Sequence, residues 1–157
     1  MIMVRNKDYD KVILMLEKFE KLTTKADYEG RRIILTKPHT FMNLSGTAVR
    51  ALVHYYKAPL DQMMVAYDDV DLPLGILRLR PSGGSAGQKG MASIIEKLGT
   101  QDFPRLRVGI GRPPGRMDAA AYVLQDFTNA EKKTLDQTLD TAVDAILTFI
   151  VEGLEAA

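Results

Sequence analysis

The run Met63-Met64-Val65-Ala66-Tyr67 most narrows the architectures open to this chain. Five consecutive apolar residues, followed at once by Asp68-Asp69, leave no polar face along the segment. A strand of that kind is buried on both sides, as in the parallel sheets of α/β proteins; a strand with one face in water alternates apolar and polar side chains instead. Helices must then cover the sheet.

The surrounding sequence supplies them. Val12, Ile13, Leu14, Leu16, Phe19 and Leu22 recur at helical spacing after Asp8 and Asp10, which predicts an amphipathic helix over residues 9–22. Arg32-Ile33-Ile34-Leu35-Thr36 reads as a strand that stops at Pro38, whose nitrogen has no proton to give a ladder. Leu44 to Lys57 reads as a helix with Asn43 or Ser45 as its N-cap. Ile76 to Arg80 and Arg105 to Ile110 both alternate apolar and basic residues, the pattern of strands with one wet face. Between them, Met91, Ile94, Ile95 and Leu98 mark a helix closed by Gly99. Pro113-Pro114-Gly115 is a turn, and Leu135, Leu139, Val143, Ile146, Leu147 and Ile150 line one face of a long helix from Asn129 to Val151, stopped by Gly153. The alternation predicts an α/β fold: one domain over residues 1–157 with a mixed, largely parallel central sheet flanked by helices.

Composition narrows the function. A chain of 157 residues with 46% hydrophobic and 26% charged content has enough material for one sizeable core. No run of eighteen apolar residues is present, and MIMVRNKDYDK lacks the apolar stretch of a secretory leader, so the expected address is cytoplasmic. The absence of cysteine excludes disulfides, thiolate catalysis and cysteine-ligated zinc, and two histidines are too few for a histidine-rich metal site. The expectation is a protein without metal or cofactor.

The net charge of +1 hides an uneven distribution. Arg78, Arg80, Lys89, Lys97, Arg105, Arg107, Arg112 and Arg116 face only Glu96 and Asp102 within their segment. From Asp126 onward, seven acids stand against Lys132 and Lys133. Such asymmetry suits a polyanion on one face, although arginines paired with acids elsewhere would give the same count.

Ligands of α/β sheets bind at the carboxyl ends of the strands, where Met42-Asn43 and Asp68-Asp69 both fall. A carboxylate placed there can orient an imidazole that acts as general base toward water. Asp68, Asp69 and Asp71 also suit turns and caps, Asp71 before Leu72-Pro73 most plainly. Asn43 is equally able to hold a ligand or to cap the following helix. Ser82 to Gly90 is glycine-rich and precedes a helix N-terminus, yet it has neither a Walker spacing nor a dinucleotide fingerprint.

Taken in order, KPHTFMNLSG, AYDDVDLPLG, SGGSAGQKG and GTQDFPRLRVGIGRPPGRMD resemble bacterial peptidyl-tRNA hydrolase, and the resemblance spans residues 31–153. It implies hydrolysis of the ester joining a peptide to the 3′ end of tRNA by a monomeric, metal-independent enzyme. It also implies that Asp68 orients a catalytic histidine, that Met42 walls the cleft and that Asn43 contacts the peptide or the attacking water. Arg80, Arg107 and Arg116 match basic positions that contact tRNA phosphates.

The resemblance also implies residues that differ here. Its glycine loop ends in Gly-His-Asn-Gly, whereas this chain reads Gly87-Gln88-Lys89-Gly90. Lys89 can bind a phosphate or the ester carbonyl but cannot accept a hydrogen bond from water. An opening strand, a Gly-Asn-Pro-Gly turn and an Arg-His-Asn segment with the catalytic histidine are expected before the first helix. The chain reads MIMVRNKDYDKVI there, with Met1 to Val4 as the one apolar fragment. His39 at a strand end and His54 on a helix are the remaining imidazoles, and the resemblance gives position 39 no catalytic role. The alternative expectation is therefore an RNA-binding protein on the same scaffold with impaired catalysis.

Overall fold

The computed structural model describes residues 2–3 and 23–157, so the helix expected over residues 9–22 lies outside the described residues. Among the described residues six strands form one sheet: β1 (Ile2–Met3), β2 (Thr23–Tyr28), β3 (Arg31–Thr36), β4 (Met64–Asp69), β5 (Leu77–Arg80) and β6 (Arg105–Gly109), in the order β2-β3-β1-β4-β6-β5. The four inner strands run parallel, and each edge strand is antiparallel to its neighbour. The fold is α/β with a mixed, largely parallel sheet flanked by helices, as the alternation predicts. From the apolar fragment at the start, Ile2 and Met3 enter the sheet, Ile2 pairing with Leu35 and Met64, and Met3 with Thr36 and Val65.

Four helices follow the first hairpin: α1 (Ser45–Tyr56), α2 (Lys89–Leu98), α3 (Ala119–Tyr122) and α4 (Asn129–Glu152). The β4 run explains the layering. Met64 and Ala66 point to one side, where Leu135, Leu139, Val143 and Ile146 of α4 cover them. Val65 and Tyr67 point to the other, against Val49 of α1, Met91 and Ile94 of α2, and Phe103. Burying such side chains contributes about 1.5–3 kcal/mol each, and both faces of β4 collect it.

Helix α1 starts differently from expectation. Met42–Leu44 forms a 3-10 turn, Leu44 occupies the cap position without a side-chain bond, and the Ser45 hydroxyl donates to the Met42 carbonyl at 2.9 Å. Neither Asn43 nor Ser45 caps the helix with its side chain. Helices α1 and α2 touch almost backbone to backbone: the Gly46 N–H donates to Ser93 Oγ at 3.0 Å, and a Cβ on Gly46 would lie 2.0 Å from the Ser93 carbonyl oxygen. Gly99, at φ 72°, closes α2 as its position predicts.

Two strands depart from the sequence reading. Strand β2 is an addition, joined to β3 by a two-residue turn in which Glu29 and Gly30 have φ of 46° and 74°, the positive values a tight hairpin needs. Strand β6 has no wet face: Arg105, Leu106, Val108 and Gly109 are all buried, because Leu106 and Val108 pack under α4 while on the other face Arg105 is taken up by the glycine-rich loop and Arg107 by Asp69. Strand β5, at the edge, keeps Arg78 and Arg80 exposed. Among the described residues no helix is long and apolar enough to cross a membrane.

Candidate functional site

Three segments meet at the carboxyl end of the parallel strands. The loop after β3 brings Pro38 and Met42, the end of β4 brings Ala66, Tyr67 and Asp68, and the start of α2 brings Gln88, Gly90 and Met91. They line a shallow cleft that is open to solvent.

Of the residues singled out in the sequence, the cleft unites Met42 and Asp68. Asp68 is half-buried, at the point where β4 gives way to a loop. Asn43 is exposed on the 3-10 turn and Lys89 is exposed at the first position of α2, so each stands one residue outside the lining. His39 and His54 are also exposed, and neither lines the cleft.

Neighbouring acids take other work. Asp69 is buried, and its Oδ2 accepts from Arg107 Nε at 2.5 Å while its Oδ1 accepts from the Asp71 N–H at 2.8 Å. The second bond closes a turn of the type short acids favour. Asp71 in turn holds Arg112, Nη2 to Oδ1 at 2.8 Å, on the surface. Asp69 and Asp71 thus hold a turn, as their residue type suits, and in addition two ion pairs.

The basic segment divides as well. Arg105 is 1% exposed, and its guanidinium donates to the carbonyls of Gly83, Gly84, Gln101 and Phe103, with its carbon 4.5 Å from the Phe103 ring centre. It is a structural cation that pins the glycine-rich loop to the strand beneath. Burial pulls its pKa down, and burial pushes the adjacent Tyr67 phenol up, an effect that Arg107 and Arg105 oppose. Arg107 is mostly buried, its charged form favoured first by the hydrogen bond it donates to Asp69. Lys97 pairs with Glu96.

Arg78, Arg80 and Arg116 are exposed. Register places Arg78 opposite Arg107 and Arg80 opposite Arg105, so the β5–β6 pair carries four arginines on one face. Like charges directly across a ladder repel, and anions relieve that repulsion. Asp69 supplies one anion and loop carbonyls solvate Arg105, which leaves the β5 arginines turned to solvent.

Sequence reasoning gave no site role to three side chains. Gln88 caps α2 and touches Met42, Tyr67 lines the cleft from β4, and Arg105, at the other end of β6, fixes the glycine-rich loop. Only Gln88 carried a signal, as a capping-competent residue just before a helical run.

Residues 3–157 match the protein-family model described as Peptidyl-tRNA hydrolase. A chloroplastic peptidyl-tRNA hydrolase of Arabidopsis thaliana is 52% identical over 136 residues, covering 86% of this chain and 47% of the relative. The peptidyl-tRNA hydrolase of Carboxydothermus hydrogenoformans is 47% identical over 146 residues, covering 93% of this chain and 78% of the relative. This chain thus spans about half of the first relative's length and more of the second's. The crystal structure of peptidyl-tRNA hydrolase from Acinetobacter baumannii superposes with a TM-score of 0.77 at 29% identity, covering 83% of this chain and 66% of that one.

Proposed function

The chain belongs to the peptidyl-tRNA hydrolase family, and from that premise we propose that it binds peptidyl-tRNA and hydrolyses the ester between the peptide and the tRNA 3′ end. The observation that carries the reading is the meeting of Met42 and Asp68 in one strand-end cleft, on a molecule whose edge strand presents exposed arginines. Met42 supplies an apolar wall for the peptide. Asp68 orients and charge-balances the base that activates water, and Asn43, beside the lining, holds the peptide or that water. Lys89 polarises the ester carbonyl or meets the terminal phosphate. Ester hydrolysis of this kind calls on no cofactor or metal, and the protein works as a monomer in the cytoplasm.

Arg80 and Arg116 contact tRNA phosphates, which position the nucleic acid without reading its bases. Arg107, expected from the family resemblance to do the same, has its charge taken up by Asp69 and acts in this reading mainly by holding the β4 loop. A single-turnover assay of peptide release from N-acetylphenylalanyl-tRNA tests the proposal, with Asp68→Asn expected to slow release about 10²-fold or more. Release at the uncatalysed rate would sink it.

A second reading, binding of tRNA with little or no chemistry, is favoured by two observations: neither His39 nor His54 lines the cleft, and Lys89 stands where the family resemblance has an asparagine. It expects tight, salt-sensitive binding in the same assay without ester cleavage.

A further inference from the structure

One polar side chain in the cleft has no part in the chemistry above. Gln88 is half-buried, and its amide is divided between two elements. Its Oε1 accepts from the Met91 N–H at 2.7 Å, which caps α2, and its Nε2 donates to Met42 Sδ at 3.4 Å. The backbone N–H can only donate, so the acceptor oxygen must face Met91 and the NH₂ group is left for sulfur; the orientation of the amide follows from the partners. Gly90 crowds the same contact, since a Cβ there would lie 2.7 Å from the sulfur and 3.0 Å from the Gln88 amide oxygen.

Methionine is unbranched and samples several rotamers on an open surface. Here its thioether meets an amide that donates to it and, beside that amide, a glycine backbone with no side chain to yield. We propose that Gln88 is a positioning residue: by fixing the Met42 thioether against the start of α2 it sets the width of the peptide side of the cleft. The inference rests on the reading that this cleft takes the peptide end of peptidyl-tRNA. It assigns to Gln88 a part in discriminating acylated from deacylated tRNA, separate from its cap.

The two functions of the side chain can be parted by isosteric change. Gln88→Glu keeps an acceptor for the Met91 N–H but has no proton for sulfur, and Met42→Leu keeps the volume and removes the sulfur. Carbon-13 methyl labelling of the eight methionines gives a signal for Met42, assigned by its loss in Met42→Leu, and another for the buried Met91. In Gln88→Glu the Met42 methyl signal should move toward the shift of a freely rotating methionine while Met91 stays and the melting temperature does not fall. The ratio of affinities for N-acetylphenylalanyl-tRNA and deacylated tRNA should drop roughly three- to tenfold, the range of one neutral hydrogen bond. Using deacylated tRNA as denominator cancels the added negative charge. In the Met42→Leu background, Gln88→Glu should cause no further drop.

An unmoved Met42 methyl in Gln88→Glu, or an equal drop in both backgrounds, would reduce Gln88 to a cap and overturn the proposal. A wild-type chain that binds both tRNA forms equally would overturn the substrate reading and the role in discrimination together, whereas the methyl shift judges the contact by itself.

Discussion

Arg107 Nε donates to Asp69 Oδ2 at 2.5 Å across neighbouring parallel strands, the two side chains 18% and 6% exposed. A pair this dry is costly to break from one side, because the survivor stays buried with its charge. Arg107→Ala is therefore expected to destabilise the protein by about 2–4 kcal/mol in urea unfolding, and Arg80→Ala, on the exposed edge, by less than about 0.5 kcal/mol. Equal effects of the two substitutions would remove the distinction drawn between them.

The same pair makes a prediction about nucleic acid. Removing one cation that touches a phosphate should flatten the dependence of log affinity on log salt by about 0.9, so Arg80→Ala and Arg116→Ala should each show that change with deacylated tRNA. Asp69→Asn should do the reverse and steepen the slope, since it releases the Arg107 charge. Affinity indifferent to salt would mean the arginine face is ordinary solvated surface.

Gly46→Ala offers a test of the α1–α2 contact. The added Cβ meets the Ser93 carbonyl oxygen at 2.0 Å, and backbone on both sides must shift to admit it. Overpacking of this kind costs about 1–3 kcal/mol or more, and the loss should appear as a lowered urea midpoint. The helix pair carries Met42 and Gln88 at its near end, so the cleft should loosen as well.

Helix α4 carries a pH-dependent element away from the cleft. Its N-terminus is a capping box: the Thr128 hydroxyl and N–H donate to Glu131 Oε2 at 2.6 and 2.8 Å, and these bonds hold the Glu131 pKa below the ordinary carboxylate value. A carboxyl depressed in the folded state stabilises fully above its unfolded pKa and loses that contribution as pH falls through the folded value. Glu131→Gln should therefore lower the melting temperature at pH 7, with the gap to wild type shrinking below about pH 4. Melts at both pH values check it; a gap that persists in acid would point to packing instead.

What could be read from the sequence follows from how local each signal is. The β4 run and the α2 and α4 periodicities are dictated by burial on a regular face, so they appear in the chain itself. Strand β2, TTKADY, has no such pattern because an edge strand takes its order from pairing with β3. The Arg-Leu-Arg alternation of β6 is identical whether the arginines meet water or loop carbonyls, and the carbonyls of Gly83 and Gly84 come from 22 and 21 residues away. At the cleft, Met42 and Asp68 were readable as strand-end residues. Asp68 and Asp69 look alike in sequence, yet adjacent positions on a strand point to opposite faces. Asp69, on the face of Tyr67, meets Arg107 on the neighbouring strand, while Asp68 lines the cleft at the strand end.

The sheet order has a consequence for how the chain reaches this state. Strand β5 precedes β6 in sequence, but β6 lies between β4 and β5. As the chain leaves the ribosome, β5 emerges with no sheet to join, and one edge of β4 stays open until residues 105–109 insert. Only then can Arg105 gather the glycine-loop carbonyls. The strand pair that bears the arginines and the loop that leads to Gln88 thus depend on one and the same insertion, a non-local pairing of the slow kind. Substitutions in β6 should accordingly delay the acquisition of tRNA binding during refolding more than they delay the formation of α4.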